Sequence, residues 1–170
     1  MWYIVYSEDP ADPSLGQNLQ DRNIEYYIPI RKVELLSSDG SQMLTRDEYP
    51  LGRLIFVRTD GSIHDLIKQI DGIRCIYKDL ATNMCATVGD GAMDAFRLFL
   101  GKYNDRVLFL KDPYSHFADK KRVRVRAGEF AGQEGRIVKI SKKRKFVIEV
   151  GTFAVVLLGI DPSLLEPIDD

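Results

Sequence analysis

Two cysteines, Cys75 and Cys85, and two widely separated histidines, His64 and His116, are all the soft metal ligands that the 170 residues offer. Their spacing makes no zinc cluster, so no metal is expected and both thiols read as reduced packing residues. No apolar run approaches membrane-spanning length. The longest, Phe153 to Gly159, is strand-sized. Met1 leads straight into Trp2-Tyr3-Ile4-Val5-Tyr6 without a basic leader or an apolar signal region, from which a cytoplasmic protein without membrane partners is expected. Catalytic signatures are missing too. Neither histidine has a paired nucleophile nearby, there is no GxGxxG or P-loop pattern, and the glycines from Gly128 onward are not followed by a helix that could hold phosphate. The chain is therefore read as a non-enzyme that needs no cofactor. Internal repeats and low-complexity tracts are absent as well.

What is present suffices for a substantial core: 45% of the residues are hydrophobic, enough for one ordinary domain or two small ones. The net charge of -1 hides an uneven distribution. Up to His116 there are 13 basic and 17 acidic residues, and after it 11 and 8, with bases concentrated in Lys120 to Arg126 and Lys142 to Lys145. The two halves should face different partners.

In chain order, Trp2 to Tyr6 is aromatic or β-branched at every position, which predicts a central strand covered on both faces. Ser14 can cap a helix to about Arg22 that turns Leu15 and Leu19 inward. Ile24 to Leu36 is β-rich, Asp39-Gly40 is a hairpin step, and Met43 and Leu44 begin the return strand. Leu54 to Val57 is a continuous apolar strand, and Ser62 caps a helix over Ile63, Leu66, Ile67 and Ile70. A strand at Ile73 to Tyr77 and a helix from Asp90 to about Lys102 follow. The order predicts an α+β chain: a ferredoxin-like α/β sandwich over residues 1–110, with Val107 to Leu110 as an additional strand. Asp112-Pro113 marks a linker over 111–118, and five short strands over 119–170 are most economically an SH3-like β-barrel.

Within that barrel, Val123 to Ile140 holds two alternating strands joined by a loop with Gly128, Phe130, Gly132 and Gly135. It reads either as a plain glycine-rich hairpin or, from its Val-x-Val-x-x-Gly-x-Phe-x-Gly-x-x-Gly spacing, as resembling the KOW motif. Phe130 can fold back there as an apolar plug. Together with the Trp-Tyr strand, the Pro50-Leu51-Gly52 step and the helix ending in Asp71-Gly72-Ile73, the chain resembles the NusG family of transcription factors over nearly its full length. Within the family it is most similar to specialised paralogues of the RfaH and UpxY type. The resemblance implies an N-terminal (NGN) domain that binds RNA polymerase, followed by a tethered KOW barrel that meets other partners.

Carried over by motif, the pocket for the polymerase clamp helices implies Tyr6, Leu51, Leu54 and Phe56, although Leu54 and Phe56 also read as plain core. The chain's Pro-Leu-Gly-Arg departs from the family's usual step, and a one-residue slip would turn these side chains to the opposite face. Ser62, His64 and Asp65 fall where relatives touch the opposite lip of the polymerase cleft; His64 also reads as an incidental surface residue. In the barrel, the resemblance assigns Phe153 and the adjacent Thr152 to contact with ribosomal protein NusE or with Rho. The competing reading makes Phe153 one of three alternating core residues with Val155 and Leu157.

Nucleic acid is a further expected partner. Sequence-specific paralogues read an exposed DNA strand with bases where this chain has Glu8, Asp9, Asp12 and Asp71, which repel phosphates. Any base readout is therefore expected of Gln17, Gln20, Arg22 and Arg74. Lys142, Lys143, Arg144 and Lys145 read as a turn that either attracts nucleic acid or is simply solvated. A ribosome- or RNA-associated KOW protein is the alternative function, and a monomer is expected in either case.

Overall fold

In a computed structural model of the chain, which describes residues 1–79, 82–110, 121–140, 143–151 and 153–168, the N-terminal aromatic and β-branched run forms β1 (Trp2–Ser7). It is followed by α1 (Pro13–Asp21), β2 (Glu25–Tyr27), β3 (Arg31–Leu36), β4 (Met43–Glu48), β5 (Leu54–Arg58), α2 (Ile63–Gln69), β6 (Ile73–Ile76) and the short β7 (Thr87–Val88). β1 pairs antiparallel with β5 on one side and with β6 and β7 on the other, giving the order β2-β5-β1-β6. β3 and β4 form a separate two-stranded sheet.

The register Tyr6 to Leu54, Ile4 to Phe56 and Trp2 to Arg58 assigns each side chain to a face. Paired residues share a face and their neighbours take the other. One face sends Val5, Ile55 and Val57 into a core with Leu15 and Leu19 of α1, Ile63 of α2 and the following Ile70 and Ile73. The other carries Trp2, Ile4, Leu54 and Phe56, which are also buried. Each fully buried apolar side chain of this size contributes on the order of 1.5–3 kcal/mol, so β1 anchors this part of the chain from both faces.

Local signals explain the helix ends. Ser62 caps α2 by accepting from the Asp65 amide. α1 starts two residues earlier than expected: Asp12, not Ser14, is its cap and accepts from the Ser14 amide, with Pro13 at the first helical position.

The chain divides into two compact units, Met1–Asp90 and Gly91–Asp170. The division lies earlier than the boundary expected after residue 110, and the expected linker 111–118 is outside the described residues. But for its first residue, α3 (Asp90–Lys102) belongs to the second unit, as does β8 (Val107–Leu110). β9 (Arg122–Val125), β10 (Glu134–Ile140), β11 (Lys143–Val150), β12 (Phe153–Leu157) and β13 (Leu165–Pro167) follow. Their sheet has the order β13-β9-β10-β11-β12-β8. β8 joins it because Val107 to Leu110 pair with Leu157 to Ala154. Val138, Val147, Ala154 and Val156 form one buried cluster, while Phe146, Ile148, Val155 and Leu157 are buried as well, so β11 and β12 are covered on both faces. The chain is thus α+β and mostly strand, compatible with an SH3-like barrel in its second unit.

Gly135 sits where β10 crosses β11. A Cβ there would lie 2.4 Å from the Val147 carbonyl oxygen and 2.8 Å from the Phe146 ring. Because a backbone atom blocks the space, Gly135→Ala should destabilise the protein by about 1–3 kcal/mol. Urea unfolding of the variant checks this; an unchanged midpoint would contradict the close approach.

Candidate docking surfaces

The exposed part of the first sheet's aromatic face is centred on Tyr6. Paired with Leu54 across to β5 and with Cys75 across to β6, its ring meets Tyr77 edge-on at 5.4 Å. On the β5 side Tyr27 packs on Phe56 at 6.3 Å. Tyr6, Tyr27 and Tyr77 are half-buried, which suits side chains with an apolar body and a polar tip. Burial, followed by the neighbouring Tyr77 and Cys75, raises the Tyr6 pKa above its ordinary value, so the phenol stays protonated and able to donate. Behind it Ser7 is fully buried, and its hydroxyl donates to the Arg53 carbonyl at 2.9 Å. This bond ties the β1 end to the turn before β5.

That turn contains the Pro-Leu-Gly step. The Gly52 amide donates to the Tyr49 carbonyl at 2.9 Å, and Gly52 takes a φ of 60° that favours glycine. Leu51 is left half-buried. The pairing therefore puts Tyr6, Leu54 and Phe56 on one face. Yet Leu54 is 8% and Phe56 0% exposed, so both serve as core, and the accessible members of the face include Tyr6, Tyr27 and Tyr77, with Leu51 half-buried in the turn that leads into β5. Tyr27 and Tyr77 were missed in the sequence because neither belongs to the matched motif; their signal was alternation along β2 and beyond β6.

Ser62 and Asp65 line a groove of about 440 Å³ with Arg22, Thr59 and Gln69 over the apolar Ile24, Leu66 and Ile70. His64 is outside the groove lining, and its Nε2 lies 3.9 Å from the Cys85 sulfur. Arg22 thus shares a groove with Ser62 and Asp65, the residues expected to touch protein, whereas Gln17 and Gln20 are occupied locally. The Gln17 side-chain amide donates to Asp21 at 2.6 Å and that of Gln20 to the Tyr26 hydroxyl at 3.1 Å; Arg22 donates to the Asn18 carbonyl at 3.1 Å. Arg74 is exposed in β6 and does not line this groove. Of the four residues expected to read bases, Arg22 alone is in the lining of this groove.

In the second unit, Gly128 and Gly132 have φ values of 88° and 85° and close a loop in which the Gly132 amide donates to the Val125 carbonyl at 2.7 Å. Phe130 at its tip is buried, edge-on to Phe99 at 5.5 Å and Tyr103 at 4.7 Å. The expected plug is thus held by α3 and the residue after it. Arg106 lies over the Phe130 ring at 5.1 Å, pairs with Glu129 at 2.6 Å and donates to the Leu158 and Gly159 carbonyls. Nothing in the sequence pattern linked Arg106 to this loop.

The basic run is not simply a turn. Lys143, Arg144 and Lys145 belong to β11 and pair with Ile140, Lys139 and Val138; Lys142 lies outside the described residues. Arg122 and Arg124 both bridge to Glu134, at 3.1 and 2.6 Å, and Arg136 pairs with Glu149. These acids offset the charge with which the barrel strands would attract phosphates. Phe153 is half-buried in β12 while Val155 and Leu157 are buried; Thr152 lies outside the described residues.

Among the described residues no group of three His, Cys, Asp or Glu side chains could hold a metal ion, and no helix is long and apolar enough to cross a membrane. The KOW motif matches residues 120–149, the span of β9, the glycine loop, β10 and most of β11. The chain is thus a KOW-containing protein. No curated protein matches it.

The Glu129 carboxyl is held below its ordinary value of 4.5 chiefly by the hydrogen bond from Arg106. A depressed folded pKa gives stability that is present above the unfolded value and lost as pH falls through the folded one. Urea midpoints at pH 7 and pH 3 should therefore fall less for Glu129→Gln than for the wild type; equal losses would show that this pair does not couple to folding.

Proposed function

We propose that this chain is a transcription elongation or antitermination regulator, a non-enzyme whose first unit binds RNA polymerase and whose KOW unit recruits a second protein. The carrying observation is the half-exposed aromatic rim of Tyr6, Tyr27 and Tyr77 on a unit that precedes a KOW motif; the half-buried Leu51, in the turn before β5, is the expected aliphatic addition to it. The first unit's strand order β2-β5-β1-β6, antiparallel with α1 and α2 packed on one face, supports a ferredoxin-like sandwich with the β3–β4 hairpin inserted. This agrees with the NusG-like resemblance and its RfaH- and UpxY-type paralogues.

The mechanism is mechanical. An apolar rim with phenolic tips suits the flank of a helix pair such as the polymerase clamp helices, and Ser62, Asp65 and Arg22 supply a second, polar contact around the neighbouring groove. Binding would favour elongating over paused polymerase only through a difference in affinity between the two states. On the second unit the exposed part of Phe153 is the contact for NusE or Rho. Nucleic acid plays a lesser part, since Arg122, Arg124 and Arg136 are paired with acids.

Co-purification with core RNA polymerase tests the reading. Tyr6→Ala and Leu51→Asp should each weaken capture by about tenfold, equivalent to about 1.4 kcal/mol, while leaving the thermal unfolding curve near that of the wild type. Undiminished capture of both would remove this face from the interface, and no capture of the wild type would favour a ribosome- or RNA-associated role.

A further inference from the structure

The β3–β4 hairpin carries an apolar surface that the proposed polymerase face does not use. Its distal pairs are Leu35 with Leu44 and Leu36 with Met43, and these side chains are 41%, 51%, 63% and 60% exposed. Consecutive cross-strand pairs point to opposite faces. The hairpin therefore presents an apolar pair on each side, like a blade. A two-stranded sheet is at best marginally stable alone in water, yet both ends of this one are fastened. At its base Arg31 pairs with Glu48 and Lys32 with Asp47. At its tip the Asp39 carboxylate accepts from the Ser37 and Ser41 hydroxyls and from the Ser41 amide, while the Ser37 hydroxyl accepts from the Gln42 amide. These bonds hold the Asp39 pKa down to about 2, the Ser37 hydroxyl making the largest contribution.

We propose that this blade inserts into an apolar cleft of a protein partner, with Leu35 and Leu44 against one wall, Leu36 and Met43 against the other, and Asp39 meeting a basic group at the cleft's end. Two apolar faces call for a cleft rather than a flat surface. The charge at the leading edge selects the occupant: a fixed anion there opposes nucleic-acid phosphate and anionic lipid, and complements a cation. A second copy of the chain is disfavoured by area, because four side chains fall short of the roughly 800 Å² per partner of a stable interface. A small preordered apolar anchor is instead how a limited contact gains affinity inside a larger interface. Resting on the reading above, the cleft belongs to RNA polymerase, at a place distinct from the one that Tyr6 engages.

Binding of the full chain to purified core RNA polymerase, measured by biolayer interferometry, tests this. The variants are Leu35→Ser with Leu44→Ser, Leu36→Ser with Met43→Ser, Asp39→Asn, and Tyr6→Ala. The five substituted hairpin positions are exposed, and a thermal unfolding curve within a few degrees of wild type certifies each fold. Each double variant should lose about tenfold or more in affinity, since both walls are engaged, and Asp39→Asn several-fold with a weaker dependence on salt. Double variants that bind within about twofold of wild type while Tyr6→Ala is weakened would overturn the blade and leave the functional reading standing. A wild type that does not bind polymerase overturns that reading, and with it the blade's assignment. Sedimentation that shows self-association abolished by either double substitution, or wild-type binding to anionic vesicles or duplex DNA lost in the same variants, would give the blade another occupant and overturn the proposal.

Discussion

Because strand side chains alternate with a period of two, the pairing of Tyr6 with Leu54 decides what each face of the first sheet can do. It turns Val5, Ile55 and Val57 towards α1 and α2, and it gathers Tyr6, Leu54, Phe56 and Tyr27 on the opposite face. A slip of one residue would exchange a helix-packing face for the aromatic one. The register has several independent supports. β1 is bonded on both edges, the buried Ser7 hydroxyl reaches across to the Arg53 carbonyl, and an irregularity between Tyr6 and Ser7 adjusts the pairing to β6 where the strand ends. The aromatic rim is thus a consequence of core packing rather than an addition to it.

The second unit solves a different problem. Its glycine loop must leave a sheet and return to it within a few residues, so Gly128 and Gly132 adopt conformations that other residues rarely reach, and Gly135 lets β10 pass close to β11. Such a loop would have little to hold it were it not for Phe130, which brings Phe99, Tyr103 and Arg106 together. Arg106 then fastens the far end of β12 through the Leu158 and Gly159 carbonyls. The motif's glycines supply shape and its phenylalanine supplies attachment. Neither is left as a bare nucleic-acid contact, and the arginines of β9 and β10 are matched by Glu134 and Glu149.

Much of this was legible in the sequence. Periodicity located β1, β5, α2 and α3, Ser62 announced the start of α2, and Asp39-Gly40 marked the hairpin, because each depends on residues close in the chain. The KOW spacing was legible for the same reason. What escaped depends on distant partners. Nothing local says that Val107 to Leu110 will pair with β12 or that Phe130 will meet Tyr103. The Lys142 to Lys145 run shows the limit from the other side: its composition suggests a turn, but β10 was available to pair with Lys143 to Lys145, and pairing prevailed.

Exposure of Leu36 and Met43 beside fully buried valines and leucines elsewhere calls for a physical reason, since the hydrophobic effect acts equally on both. Among the described residues the sheet they belong to has only two strands, so nothing within the hairpin itself can cover both of its sides at once. What it has instead is fixed shape, given by ion pairs at the base and a hydrogen-bonded carboxylate at the tip. Fixed shape lowers the ordering cost of association. For the proposed function, in which the chain acts by being bound, preorganisation also matters for mechanism. A compliant surface would follow the partner through its motions and bind all its states alike, whereas a rigid one distinguishes them, and only that difference can shift the partner's equilibrium.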